Sequence, residues 1–150
     1  MQYRLFTFFI LFFTFFLTQA QEKTDANIQL IKDFIQQVSI ETISPDVILN
    51  QHVLLKETST DEEYDYLEAS IEEIRVNLQT KNIDEIEYLT FNSLPKKETN
   101  DIDLEGKSVD HIYFLKYKKR QMLAIYITEN KIASFTLVAK ENNKARFITY

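Results

Sequence analysis

The stretch HIYFLKYKKRQMLAIYITENKIASFTLVA, His111–Ala139, decides the fold. β-branched and aromatic residues dominate it, and such side chains suit a pleated, half-buried surface. It divides at Glu129-Asn130, where Asn accepts the positive φ of a two-residue hairpin turn. That turn sets Thr128 opposite Lys131, and the rest of the register follows. Ile127 faces Ile132, Ile125 faces Ser134 and Leu123 faces Thr136. On the other face Tyr126 meets Ala133, Ala124 meets Phe135 and Met122 meets Leu137.

A turn at Lys119-Arg120 extends the pattern upstream, pairing Tyr117 with Met122, Leu115 with Ala124 and Tyr113 with Tyr126. Asn142-Asn143 is a further turn signal, after which residues 145–150 run back along the sheet. One face then carries Ile112, Phe114, Leu123, Ile125, Ile127, Ile132, Val138 and Phe147. The other carries His111, Tyr113, Leu115, Tyr117, Met122, Tyr126, Phe135, Leu137 and Ile148. An antiparallel sheet with one side in water shows a polar face, and neither of these is polar. Helices cover one side. The second calls for a ligand, a partner subunit or a bent edge of the sheet itself. The tyrosine side is the candidate recognition surface, since Tyr joins a large apolar body to a polar tip.

Working outward, residues 1–20 read as a secretory signal peptide. Arg4 supplies the positive region, Leu5 to Leu17 is apolar save for two threonines, and Thr18-Gln19-Ala20 offers small residues before a cut at Gln21. The apolar run reaches about 20 Å as a helix, short of a hydrocarbon core of about 30 Å. The expectation is an exported chain, periplasmic or secreted, without lasting membrane anchoring, whose residues 21–150 form a single domain.

Residues 26–39 place Ile28, Ile31, Phe34, Ile35 and Val38 at helical spacing, with Asp25 as candidate N-cap. Ser44-Pro45-Asp46 opens a short helix, and His52 to Lys56 suits a brief strand. From Thr60 to Thr80 runs the main helix, with Thr60 and Glu63 as a capping box and Tyr64, Leu67, Ile71, Ile74 and Leu78 as its buried stripe. Glu62, Glu68, Glu72, Glu73 and Arg75 fall largely on its wet side. Ile86 to Phe91 alternates as a first strand. Asn92 to Ser108 is a long polar loop, of a length found in functional or disordered segments.

With 45% hydrophobic and 27% charged residues, the chain suits a globular domain. One glycine and two prolines leave no material for a Gly-rich phosphate loop, and the absence of cysteine removes thiol chemistry and disulfides. The net charge of −6 argues against nucleic acid or an anionic membrane as main partner.

The candidate chemistry is thin. Asp101, Asp103 and Glu105 imitate half a calcium loop, but Ile112 stands where the twelfth-position carboxylate belongs, so a solvated acidic loop is the reading. His52 and His111 share no ligand spacing, and no metal or cofactor is implied. Lys116-Tyr117-Lys118-Lys119-Arg120 reads as a charged hairpin tip. No serine sits in a nucleophile elbow. No catalytic residue is assigned.

The order helix, short helix, brief strand, long helix, then antiparallel strands resembles the NTF2-like α+β cone, over nearly all of residues 26–150. Val109 to Tyr150, with its Lys131-Ile132-Ala133-Ser134-Phe135 strand, also looks like the ends of small exported bacterial proteins of this class. The resemblance implies N-terminal helices packed on a bent antiparallel sheet with a C-terminal β-meander, and a pocket at the mouth of the cone. A cystatin-like or other helix-on-sheet domain is the alternative fold.

Taken together, these features predict a non-enzymatic α+β binding domain that takes a small apolar ligand or a protein, a second copy of the chain included. Tyr113, Tyr126 and Phe135 supply contact area, with His111 and Tyr117 at the rim. The alternatives are a small pocket hydrolase or isomerase using His111 as base, and an inhibitor or immunity-type protein presenting its acidic helix face.

Overall fold

The structure, a computed structural model, describes residues 23–57, 60–139 and 144–150. The signal segment of residues 1–20 and the Asn142-Asn143 turn lie outside them. Helix α1 covers residues 23–39, and Ile31, Phe34, Ile35 and Val38 form its fully buried stripe. The helix already runs at residue 23, so Asp25 stands within its first turns and is not the cap. Helix α2, Pro45–His52, starts with proline in its first turn, behind an extended Ser44 whose side chain makes no capping bond. Helix α3, Asp61–Leu78, carries the expected capping box. Glu63 N donates to Thr60 Oγ1 at 3.2 Å, and Thr60 N donates to Glu63 Oε2 at 2.9 Å. Between them these bonds satisfy two of the amides left open at a helix start.

Arg75 departs from its expected place on the wet side. It is 6% exposed, among Leu67, Ile71 and Leu78 on the buried stripe. Its Nε donates to Val38 O at 2.9 Å and its Nη2 to Ile43 O at 2.6 Å, while Nη1 meets Glu72 at 2.5 Å. The guanidinium therefore ties the end of α1 and the turn before α2 to α3. Its fork of donors matches the carbonyls that those segments leave unpaired.

The main sheet has strand order β1-β3-β4-β5, all neighbours antiparallel. Its strands are β1 (Glu87–Thr90), β3 (Ile112–Tyr117), β4 (Arg120–Thr128) and β5 (Lys131–Ser134). The β4–β5 hairpin turns at Glu129 and Asn130, both at positive φ of 52° and 56°, and Thr128 faces Lys131 and Ile127 faces Ile132 as expected. Beyond that point the register shifts. A bulge between Tyr126 and Ile127 brings Tyr126 opposite Ser134, so the expected pairs of Tyr126 with Ala133 and Ile125 with Ser134 do not form.

The β3–β4 turn falls one residue early. Lys118 and Lys119 take the positive φ values, 48° and 67°, and Tyr117 faces Arg120. A second bulge, between Leu115 and Lys116, sets Leu115 opposite Leu123, Phe114 opposite Ala124, Tyr113 opposite Ile125 and Ile112 opposite Tyr126. The pairs expected of Tyr117 with Met122, Leu115 with Ala124 and Tyr113 with Tyr126 are thereby replaced. A single extra residue moves every side chain beyond it to the opposite face. Tyr113, Leu115, Ile125, Ile127 and Ile132 turn toward α1 and α3, while Ile112, Phe114 and Ala124 turn away.

The strand expected from Lys131 to Ala139 is broken at Phe135-Thr136, where the chain leaves the main sheet for a second one. That sheet has strand order β2-β7-β6, from β2 (Ile102–Asp103), β6 (Leu137–Ala139) and β7 (Ala145–Phe147). β7 pairs antiparallel with β6 and parallel with β2. The corner is held by Tyr150, whose hydroxyl accepts from Phe135 N at 3.1 Å and lies 2.5 Å from Thr136 Oγ1.

The segment expected as a loop from Asn92 to Ser108 is largely folded. It contains a 3-10 turn at Phe91–Ser93, helix α4 (Lys96–Thr99) and β2. Lys116 Nζ on β3 binds Glu98 at 2.5 Å. Phe91, Leu94, Ile102 and Leu104 pack with Leu137 and Phe147 over Ile112, Phe114 and Ala124. The chain thus covers the far side of its main sheet with its own residues. The brief strand expected at His52–Lys56 amounts to one parallel bridge, Val53 with Ile132. The molecule is α+β, with helices on an antiparallel main sheet beside a small mixed one, neither closed into a barrel.

Candidate functional site

The five residues read as a recognition surface do not share one. Tyr113 is fully buried under α1, where its hydroxyl accepts from Asn27 Nδ2 at 3.0 Å and donates to Asp110 O at 3.3 Å. Tyr126 lies on the opposite side of the sheet, 6.2 Å from the Phe147 ring with Lys107 above it. Tyr117 is half-buried at the end of β3, flanked by Lys81 and Lys118. Phe135, 4% exposed, stacks on Phe34 at 5.9 Å. The cause is the bulge between Leu115 and Lys116, which sets Tyr113 opposite Ile125 and so sends the two tyrosines to different cores.

His111 is half-buried beside a cavity of about 470 Å³ that Lys23, Asn92, Asp110 and Tyr113 also line. Its Nε2 lies 3.1 Å from Lys23 Nζ. Asp110, the acid that could orient an imidazole, instead accepts from Asn92 at 3.2 Å. A general base needs an orienting partner and a proton to take, and the bonds made here point His111 at an ammonium. Among the described residues no three His, Asp or Glu side chains converge as metal ligands. Asp103, in the stretch resembling a calcium loop, accepts from Glu105 N at 3.2 Å, and Gly106 takes φ +82° in the turn that follows.

A different site emerges where α3 crosses the sheet. The helix leaves β4 and the Phe135-Thr136 corner partly uncovered, and a cleft of about 330 Å³ opens there. Its floor and walls are buried or half-buried apolar side chains: Ile74 from α3, Met122 and Leu123 from β4, then Phe135 and Leu137. The bulge that adds Met122 to β4 puts Met122 and Leu123 side by side at this opening. The rim comes from one flank of α3, Tyr66, Ser70, Glu73 and Asn77, and from Gln121. Their spacing of four, three and four residues keeps them on one line along the helix. Tyr66 is 56% exposed, an aromatic ring at the mouth with most of its surface in water. A concave apolar floor with a few polar groups around it is the usual form of a small-molecule site.

No family model matches the chain, and no curated protein or solved structure matches it either.

Of the expected site residues, Phe135 alone lines this cleft. The sequence held a faint signal for the rest. Tyr66 and Ser70, with Glu73 and Asn77 below them, make a second line beside the main apolar stripe of α3, and the tyrosine at its head is out of place on a purely solvated face.

One more polar group stands apart. His52, at the C-terminal end of α2, is 4% exposed, and neither ring nitrogen has a hydrogen-bond partner among the described residues. The Phe34 ring meets it edge-on at 6.0 Å. Burial holds its pKa below the ordinary value of 6.5; Asp33 pulls it upward and Lys131 pushes it further down.

Proposed function

We propose that this chain is an exported, non-catalytic binding domain of the NTF2-like cone type, and that its ligand site is the cleft between α3 and β4. The ligand is a small molecule with an apolar body. The observation that carries this reading is the gap left by α3 over Met122, Leu123 and Phe135, where apolar side chains meet a rim of polar ones. A helix laid across an antiparallel sheet with an opening at one end is also what the NTF2-like resemblance implies. Export rests on the pattern of residues 1–20. His111 faces the Lys23 ammonium while Asp110 accepts from Asn92, which favours binding over turnover.

The test is displacement of N-phenyl-1-naphthylamine, an uncharged dye that brightens in apolar sites. Ser70→Trp places a large ring at the rim from a helix position, where tryptophan and serine have nearly equal helix propensity. The wild-type chain binds the dye at micromolar concentration, and S70W weakens it about tenfold with unchanged circular dichroism. Failure of the wild-type chain to brighten the dye, or equal binding by S70W, refutes the cleft as the site.

A further inference from the structure

We propose that the cleft selects ligands with a compact cationic amine head, seated between Glu73 and Tyr66, on the apolar body described above. The proposal rests on the cleft being the binding site and adds the chemistry of the head group.

Among the described residues Glu73 is the one charged side chain that lines the cleft, and no described lysine or arginine lines it. The neighbouring acid is different. Glu72 spends its charge on Arg75, with an oxygen 2.5 Å from the guanidinium. Glu73 has no salt bridge or side-chain hydrogen bond among the described residues, and neither do the side chains of Asn77 and Gln121 beside it. The rim therefore presents an uncompensated carboxylate with neutral hydrogen-bonding groups next to it. An anionic head is repelled there, and a neutral head gains hydrogen bonds alone.

A second feature points the same way. Tyr66 sits two turns before Glu73 on the same line of α3, more than half exposed at the mouth. The face of a tyrosine ring attracts cations, and ammonium groups are its usual partners. Met122 on the opposite wall adds a polarizable, adaptable apolar surface for the ligand body. Carboxylate, ring and apolar floor are the three elements an alkylammonium needs. Chain charge agrees in sign, since a net −6 draws cations to the surface at long range.

The size of the effect is bounded by exposure. A solvent-exposed ion pair contributes up to about fivefold in affinity, and a cation over an exposed aromatic ring about two- to fivefold. Together they give a preference of about tenfold for a cationic head over a neutral one of the same length. Salt weakens it, because the screening length falls from about 10 Å at 0.1 M to about 3 Å at 1 M.

The experiment compares n-octylamine, n-octanol and octanoate as competitors for the bound dye at pH 7, where an alkylamine is protonated. Octylamine competes about tenfold better than octanol at low salt, and octanoate is weakest. Glu73→Gln removes most of that preference while octanol competes as before. Glu62→Gln, which makes the same change in net charge on the first turn of α3, leaves the preference intact. Equal competition by octylamine and octanol in the wild-type chain overturns the head-group assignment, and so does a preference that survives E73Q. In either case octanol still displaces the dye, so the cleft stands as a neutral apolar site. If none of the three competes, the cleft reading falls together with the proposal.

Discussion

Acid should loosen the contact between α2 and β5 through one side chain. Burial disfavours the charged form of His52, with Phe34 against the ring and neither nitrogen partnered among the described residues. The unfolded chain binds a proton there at about pH 6.5, the ordinary histidine value, whereas the folded chain resists until a lower pH. Between those two values the unfolded state carries more protons. Stability therefore rises with pH across that window and falls as the solution is acidified through it. Above about pH 7.5 neither state is protonated and the contribution is flat. From pH 7.5 to 5.5 the loss reaches at most about 1.4 kcal/mol, the limit for a site that stays neutral when folded.

The charges that face His52 oppose one another. Asp33 on α1 eases protonation and Lys131 on β5 resists it. Lys131 Nζ also donates to Asn50 O at 2.9 Å and Gln51 O at 2.8 Å, at the C-terminal end of α2 that His52 occupies. A second positive charge arriving there strains that seam. The assay is urea unfolding of the chain and of His52→Leu at several pH values between 5.5 and 7.5. The variant removes a buried donor that has no acceptor, a change worth about 1 kcal/mol or more in its favour at pH 7.5, and it loses the acid-dependent slope. A slope in H52L equal to that of the parent chain refutes the reasoning, because the proton uptake would then belong to another group.

Two further substitutions test the packing. Arg75→Met keeps the buried stem but strips the donors from Val38 O and Ile43 O, and should cost about 2–4 kcal/mol, read as a lower urea midpoint at constant slope. Tyr113→Phe leaves the Asn27 amide without its acceptor and should cost about 1–2 kcal/mol in the same assay, with dye binding at the cleft unchanged.

The elements were legible where a local rule acts alone. Thr60 and Glu63 announce α3 because a capping box is complete within four residues, and Asn130 announces its hairpin because few residues tolerate positive φ. Register beyond the turn at Glu129-Asn130 was not legible, because a bulge leaves no compositional mark. Met122 and Ala133 are ordinary strand residues, and nothing in their type says that each is the extra one. Lys118 and Lys119 take a backbone conformation that lysine rarely adopts, so residue type alone points to a turn one residue later.

Arg75 shows a conflict between spacing and type. Its position, four after Ile71 and three before Leu78, belongs to the buried stripe, while its charge argued for water. Two backbone carbonyls decided for burial. The folded segment from Phe91 to Leu104 hid for a similar reason. Its apolar residues are few and follow neither period, yet each meets Phe114 or its neighbours. The cleft was harder still, since it exists only where α3 happens to leave β4 uncovered, a fact of tertiary geometry.

The second sheet has a bearing on how the molecule comes apart. β3, β4 and β5 join through two-residue turns, but β2 and β7 must close a loop of about forty residues for strands only two and three residues long. That layer gains little per residue fixed and should exchange its amide hydrogens before the sheet beneath it. When it lifts, Ile112, Phe114 and Ala124 meet solvent as a bare β surface, the kind of template on which chains aggregate. Solubility under mild stress thus hangs on a flap of a few residues, on the side of the main sheet turned away from α1 and α3.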